Sequence, residues 1–159
     1  MATFDQLDEL ARSLPEVSVR PGRDGRPRYY VKAKFFGAHR DPRPDALDEG
    51  GARLDDVIVF RVADEGVKQA LLAERPEIYF TTGHFTGYPA ILTRIAWLSH
   101  MSDEELHELV VEAWLTQAPT RLAQRYLEDS GLLVTFRGAW SRRRGSFATV
   151  RHRTPGRRS

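Results

Sequence analysis

Apolar residues recur at helical spacing from the start of the chain. Phe4, Leu7, Leu10, Ala11 and Leu14 share one face, which predicts a helix over Thr3–Ser13. Thr3 and Gln6 form a capping-box pair, each side chain satisfying a backbone N–H left over at the helix start. Pro15 ends that helix. Glu16–Arg20 reads as a short strand, and Pro21–Pro27 is turn chemistry throughout. Tyr29–His39 is strand-forming, as one long strand or as a hairpin turning near Lys32-Ala33. Arg40–Leu54 is rich in Pro, Gly and Asp, has no periodicity, and is expected to be a mobile loop.

Asp56–Val62 is apolar on both faces (Val57, Ile58, Val59, Phe60) and predicts a central strand. Asp64–Glu74 predicts a helix with Val67, Ala70 and Leu71 inward. Ile78–Thr81 predicts a short strand, Gly83–Pro89 a turn, and Ala90–Trp97 another buried strand. Ser102 opens the clearest helix. It pairs with Glu105 as a capping box, and Leu106, Leu109, Val110, Ala113 and Trp114 form its apolar stripe. Pro119 cannot continue that helix but suits the first turn of the next, Pro119–Glu128, with Leu122 and Tyr126 inward and Gly131 as the C-cap. Leu132–Phe136 is a candidate edge strand, and weak order is expected from Arg137 on. No internal repeat is present. The order, near α-β-β-β-β-α-β-β-α-α, predicts an α+β fold: an antiparallel sheet of about five strands with helices on one face.

Composition changes this picture in two ways. With no cysteine, the chain has no disulfide, no Cys-based zinc site and no thiol nucleophile. The net charge of +2 conceals an asymmetry. Sixteen basic and twenty-two acidic residues precede Arg137, whereas eight arginines and no acid lie beyond it, so a body of about −6 carries a segment of +8. Residues 1–130 are therefore expected to form the domain and residues 131–159 an arginine-rich extension. The N-terminus lacks a signal-peptide pattern, and no apolar run approaches the roughly 20 residues of a membrane span. A soluble cytoplasmic protein without a membrane partner is expected.

The run His84-Phe85-Thr86-Gly87-Tyr88-Pro89-Ala90-Ile91-Leu92, followed by a helix with Ala113-Trp114 closing on Ala118-Pro119, resembles the MmcQ/YjbR family of small bacterial proteins. The resemblance covers about Phe4 to Leu127. It implies a CyaY-like or secretion-chaperone-like α+β arrangement and a hairpin turning just before Lys34-Phe35-Phe36. It also implies DNA binding through a double-wing fold.

Candidate chemistry is sparse. In the Gly83–Pro89 turn, His84, Phe85 and Tyr88 are candidate ligand contacts; alternatively, the two aromatic rings plug the core edge. Nothing near His84 in sequence orients it as a general base. No nucleophile elbow, Walker loop or dinucleotide fingerprint is present, so no catalytic residue and no cofactor is expected. Glu104 and His107, with His100 one turn earlier, fit a solvated helix face better than a metal site, and no metal is expected. If Arg28–Phe36 is one extended strand, then Arg28, Tyr30, Lys32, Lys34 and Phe36 share a face able to track phosphates; a hairpin would scatter them. In the extension, Arg142, Arg143, Arg144, Arg151 and Arg153 are candidate phosphate contacts, with Trp140 and Phe147 available to stack.

The leading expectation is thus a non-enzymatic DNA-binding protein of low sequence specificity, using Arg28, Lys32, Lys34 and the arginines of the extension. The alternative is a protein- or small-ligand-binding module, its extension docking an acidic protein partner or serving no partner. A continuous positive surface would favour DNA, a deep pocket under His84 a ligand, and an exposed apolar groove a protein.

Overall fold

A computed structural model describes residues 1–131. Helix α1 spans Phe4–Ser13, and Thr3 and Gln6 complete both halves of the expected capping box. Strands β1 (Val17–Pro21), β2 (Pro27–Val31), β3 (Lys34–His39) and β4 (Val57–Arg61) follow. Next come α2 (Glu65–Glu74), β5 (Ala90–Arg94), α3 (Asp103–Gln117) and α4 (Thr120–Asp129). The strands form one sheet in the order β1-β2-β3-β4-β5, with every neighbouring pair antiparallel. This is the expected α+β class. The candidate strand Leu132–Phe136 and the arginines Arg142, Arg143, Arg144, Arg151 and Arg153 lie outside the described residues.

The hairpin reading of Tyr29–His39 holds. Lys32 and Ala33 take positive φ values of 47° and 65°, the sense needed at both central residues of a tight two-residue hairpin. Two expected strands are shortened. Ile78–Thr81 keeps a single bridge, Phe80 to Leu92. The reason is local: the N–H groups of Ile78 and Tyr79 both donate to the Arg75 carbonyl in the turn that follows α2. The strand expected over Ala90–Trp97 stops at Arg94. Asp56 accepts from Arg94 Nε at 2.9 Å and from the Ala96 N–H at 3.2 Å, which turns the chain into a 3-10 segment over Ile95–His100. At Ser102 only half of the expected capping box forms. The Glu105 N–H donates to Ser102 Oγ at 3.1 Å, while the Glu105 carboxylate pairs with Arg75 instead.

Side chains alternate across β4, so its four buried residues feed two cores. Ile58 and Phe60 face the helices. There they join Tyr29, Val31, Phe36 and Ile91 with Leu7 of α1, Val67 and Leu71 of α2, and Leu106, Leu109, Val110, Ala113 and Trp114 of α3. The fully buried Trp114 donates its indole N–H to the Pro15 carbonyl at 3.1 Å and packs on Tyr126 of α4, ring centres 5.0 Å apart. Val57 and Val59 face the other way, with Ala38, Ala90, Leu92, Phe85 and Ala46, and with Phe35, Leu54 and Phe80 at the margin. The stretch expected to be a mobile loop therefore folds against the second face of the sheet. Arg40 pairs with Asp45 at 2.8 Å, Leu54 N–H returns to the Ala46 carbonyl at 2.9 Å, and Leu47 bridges Arg53.

One glycine governs the first face. Gly37 sits opposite both Tyr29 and Phe60, whose rings stack at 6.3 Å with an 8° interplanar angle. A Cβ at Gly37 would lie 2.3 Å from two carbons of the Phe60 ring. Gly37→Ala is expected to destabilise the fold by about 1–3 kcal/mol through overpacking, measured by urea unfolding. Unchanged stability would show that the ring can move aside freely.

Candidate functional site

The second face of the sheet is not filled completely. Between the Arg40–Leu54 loop and the Gly83–Pro89 turn lies a cavity of about 570 Å³, lined among others by Arg28, Phe35, Arg40, Asp41, Arg43, His84, Phe85 and Tyr88. Its apolar floor comes from Phe35, Ala38, Val59 and Phe85. Alternation along β2 sends Arg28 to this face, opposite Ala38. The turn brings in the rest. Residues Gly83–Phe85 form one 3-10 turn, and Gly87 at φ 74° redirects the chain towards Pro89.

What holds the turn in place is Lys68 of α2. This lysine is 1% exposed, and its ammonium donates to the carbonyl oxygens of Phe85 at 2.7 Å and Tyr88 at 3.1 Å. Glu65 stands 3.6 Å from it. A charge so far from water needs acceptors, and these two carbonyls supply them. On the loop side, Asp45 accepts from Arg40 at 2.8 Å and from Thr82 Oγ1 at 2.6 Å, which ties the loop to the segment before the turn. Burial alone would raise the Asp45 carboxyl pKa. The bonds from Arg40 and Thr82 outweigh burial and hold it below the usual carboxylate value.

Arginines dominate the polar lining. Arg28 pairs with the buried Asp41 at 3.1 Å. Arg40 stacks over the Phe85 ring at 5.1 Å while holding Asp45. Just beyond the lining, Arg61 lies 4.4 Å over the Tyr88 ring and donates to its hydroxyl at 2.7 Å. Arg43 is exposed and has no carboxylate partner among the described residues. Two polar atoms of lining residues, Arg40 Nη1 and Asp41 Oδ1, are buried without a hydrogen-bond partner among the described residues. Three arginines against two aspartates leave the cavity net positive within an acidic body.

The residues singled out from sequence divide sharply. His84, Phe85, Tyr88 and Arg28 come together here. Phe85 is buried, as the core-plug reading of the turn requires, and it still forms one cavity wall, whereas Tyr88, assigned to the core by the same reading, is exposed; His84 is exposed with its ring T-shaped to that of Phe85. Lys32 and Lys34 do not join them. Lys32 lies in the hairpin turn, 3.5 Å from Glu16, and Lys34 is exposed at the start of β3. Phe36 is fully buried on the opposite face, so the shared basic face of Arg28, Lys32 and Lys34 does not form. Lys68, Arg40, Asp41, Arg43, Asp45 and Arg61 were missed. Lys68 carries the one readable signal, a charged residue adjoining the inward positions Val67 and Leu71.

Among the described residues no group of three or more His, Cys, Asp or Glu side chains gathers to hold a metal ion. Nor is any helix there long and apolar enough to cross a membrane. A five-stranded antiparallel sheet with helices on one face and, on the other, a cavity between the Arg40–Leu54 loop and the Gly83–Pro89 turn define an α+β domain; a second cavity of about 710 Å³, lined by Leu47, Leu54, Phe80, Thr82 and Trp97 among others, shares Asp45 with the first. The YjbR family profile matches residues 12–116, and the chain belongs to that family. Relatives 40% identical over 136 residues span 82% of this chain and their own full length. They include the uncharacterized proteins Mb2600 of Mycobacterium bovis and Rv2570 of Mycobacterium tuberculosis. No solved structure gives a significant match.

Lys68→Met keeps the stem length but leaves the Phe85 and Tyr88 carbonyls without their donor. It is expected to cost about 2–3 kcal/mol and to displace the amide resonances of residues 83–89. Wild-type stability with an unmoved turn would show that the ammonium is not what fixes it.

Proposed function

We propose that the domain is a non-enzymatic binding module for a small ligand, seated in the cavity between Arg28, Arg43, His84 and Tyr88. The observation carrying this reading is the cavity itself. Its volume falls in the range of small-molecule sites, about 300–1,000 Å³, and it joins an apolar floor to a few convergent polar groups. A binding rather than catalytic role is supported by His84. Its ring touches Phe85, and no hydrogen bond from a described residue orients it as a base. A peptide groove has less support: the exposed large apolar residues among those described are Met1, Leu47 and Tyr88.

DNA binding is retained as a second reading because of one observation, the eight arginines without an acid beyond Asp129. In this reading the domain itself contributes little. Arg28 and Lys32 are each committed to a carboxylate, and the body of about −6 repels phosphates.

Thermal melting of the full chain against a panel of small anions, cations and neutral compounds tests the first reading. A cavity ligand at about 100 times its Kd adds roughly 2.7 kcal/mol of stability, and Tyr88→Ala is expected to abolish the shift. A panel without any stabilising member contradicts it. Fluorescence anisotropy with a random duplex tests the second. The full chain is expected to bind and to weaken steeply with salt, whereas a chain ending at Ser130 binds little. Equal binding by the two would move the contact to the domain, and no binding at low salt would end the DNA reading.

A further inference from the structure

Resting on the ligand-pocket reading above, the geometry points to the class of ligand: a planar ring system bearing one carboxylate or phosphate group, its ring on the Phe35–Phe85–Tyr88 wall and its anion on Arg43 and Arg40.

Charge selects the anion. Asp41 and Asp45 each neutralise one arginine, Arg28 and Arg40 respectively, and Arg43 is left over at the mouth. Arg40 has a further unmet donor, since Nη2 is committed to Asp45 and Nη1 is buried without an acceptor. A guanidinium fork suits the two oxygens of a carboxylate or phosphate, which give shorter and stronger hydrogen bonds than neutral acceptors do. A cationic ligand would meet the unpaired Arg43; of the lining carboxylates, Asp45 accepts from Arg40 and Thr82, and Asp41 holds Arg28 through Oδ2, leaving its buried Oδ1 as an acceptor for a neutral N–H or O–H on the ligand's ring.

Shape and surface select the ring. The cavity is far larger than an inorganic anion requires. Its aromatic wall is continuous, with Phe85 and Tyr88 centred 6.1 Å apart and the His84 ring 5.1 Å from Phe85. Arg40 and Arg61 each lie over one of these rings, at 5.1 and 4.4 Å, and hold the wall in place. Such rings receive a flat apolar body by stacking. Arg61 also fixes the Tyr88 hydroxyl, so that residue presents its ring in one orientation.

Carboxylate and phosphate share this chemistry, and the experiment separates them. Isothermal titration of the full chain at near-physiological salt uses 2-naphthoate and adenosine monophosphate as the two anionic arms. Their neutral counterparts, 2-naphthalenemethanol and adenosine, and inorganic phosphate serve as controls. Amide resonances of residues 84–88 report whether binding occurs in the cavity rather than on the arginine-rich extension. At least one anionic arm is expected to bind there about tenfold more tightly than its neutral counterpart, an advantage that Arg43→Gln removes. Arg43 is exposed, so its replacement leaves folding intact. Neutral compounds binding as tightly as the anions would overturn the anionic class while leaving the cavity a ligand site. Inorganic phosphate binding there as tightly as adenosine monophosphate would overturn the need for a ring. If no compound moves residues 84–88, the proposed class falls; the ligand-pocket reading falls separately, if the wider melting panel also holds no stabilising member.

Discussion

A single buried ammonium carries much of this architecture. Lys68 sits on a helix whose Val67 and Leu71 belong to the helical core, yet its charge ends on two carbonyls of the turn whose Phe85 belongs to the opposite core. Leaving that ammonium without acceptors would cost more than most single interactions contribute, so the turn must come to it. The cost of burying a charge thus couples the two faces of the sheet. It also sets where His84, Phe85 and Tyr88 stand.

The remaining parts of the site follow from that placement. With Phe85 fixed, Arg40 can stack on its ring and reach Asp45, and Asp45 in turn draws in Thr82. The loop is thereby closed over the sheet, but not onto it. Small side chains at Ala38 and Val59 leave depth between roof and floor, and that space is the cavity. The same arginines that hold the roof make the space positive inside a negative body. A small anion can therefore be attracted locally even though a polyanion would be repelled by the domain as a whole.

Much of the fold was legible in the sequence, because periodicity and punctuation spoke clearly at particular residues. Thr3 with Gln6, Pro15, Ser102 and Pro119 mark helix boundaries to within a residue. The Lys32-Ala33 turn was not legible from its own residues, since it takes positive φ without the Gly or Asn that usually signals it. Ile78–Thr81 reads as a strand, yet the amides of Ile78 and Tyr79 are captured by the Arg75 carbonyl, a local consequence of how α2 ends, and only Phe80 pairs with Leu92. The site was legible only in part. The turn motif announces His84, Phe85 and Tyr88, whereas Arg40, Arg43 and Asp45 sit in a stretch whose composition signals only a loop. Lys68 shows in the sequence only as a charge beside the inward positions Val67 and Leu71, and its acceptors, 17 and 20 residues away, do not show at all.

The proposed ligand site is the cavity, and the proposed nucleic-acid contact is the arginine-rich extension outside it. The most direct measurement is to follow the amide resonances of residues 84–88 in the full chain while titrating a short DNA duplex and, separately, a cavity ligand. The ligand is expected to move these resonances and the duplex to leave them in place. A duplex that shifts residues 84–88 at ordinary salt, where small ligands do not, would contradict this assignment and make the turn part of a nucleic-acid surface.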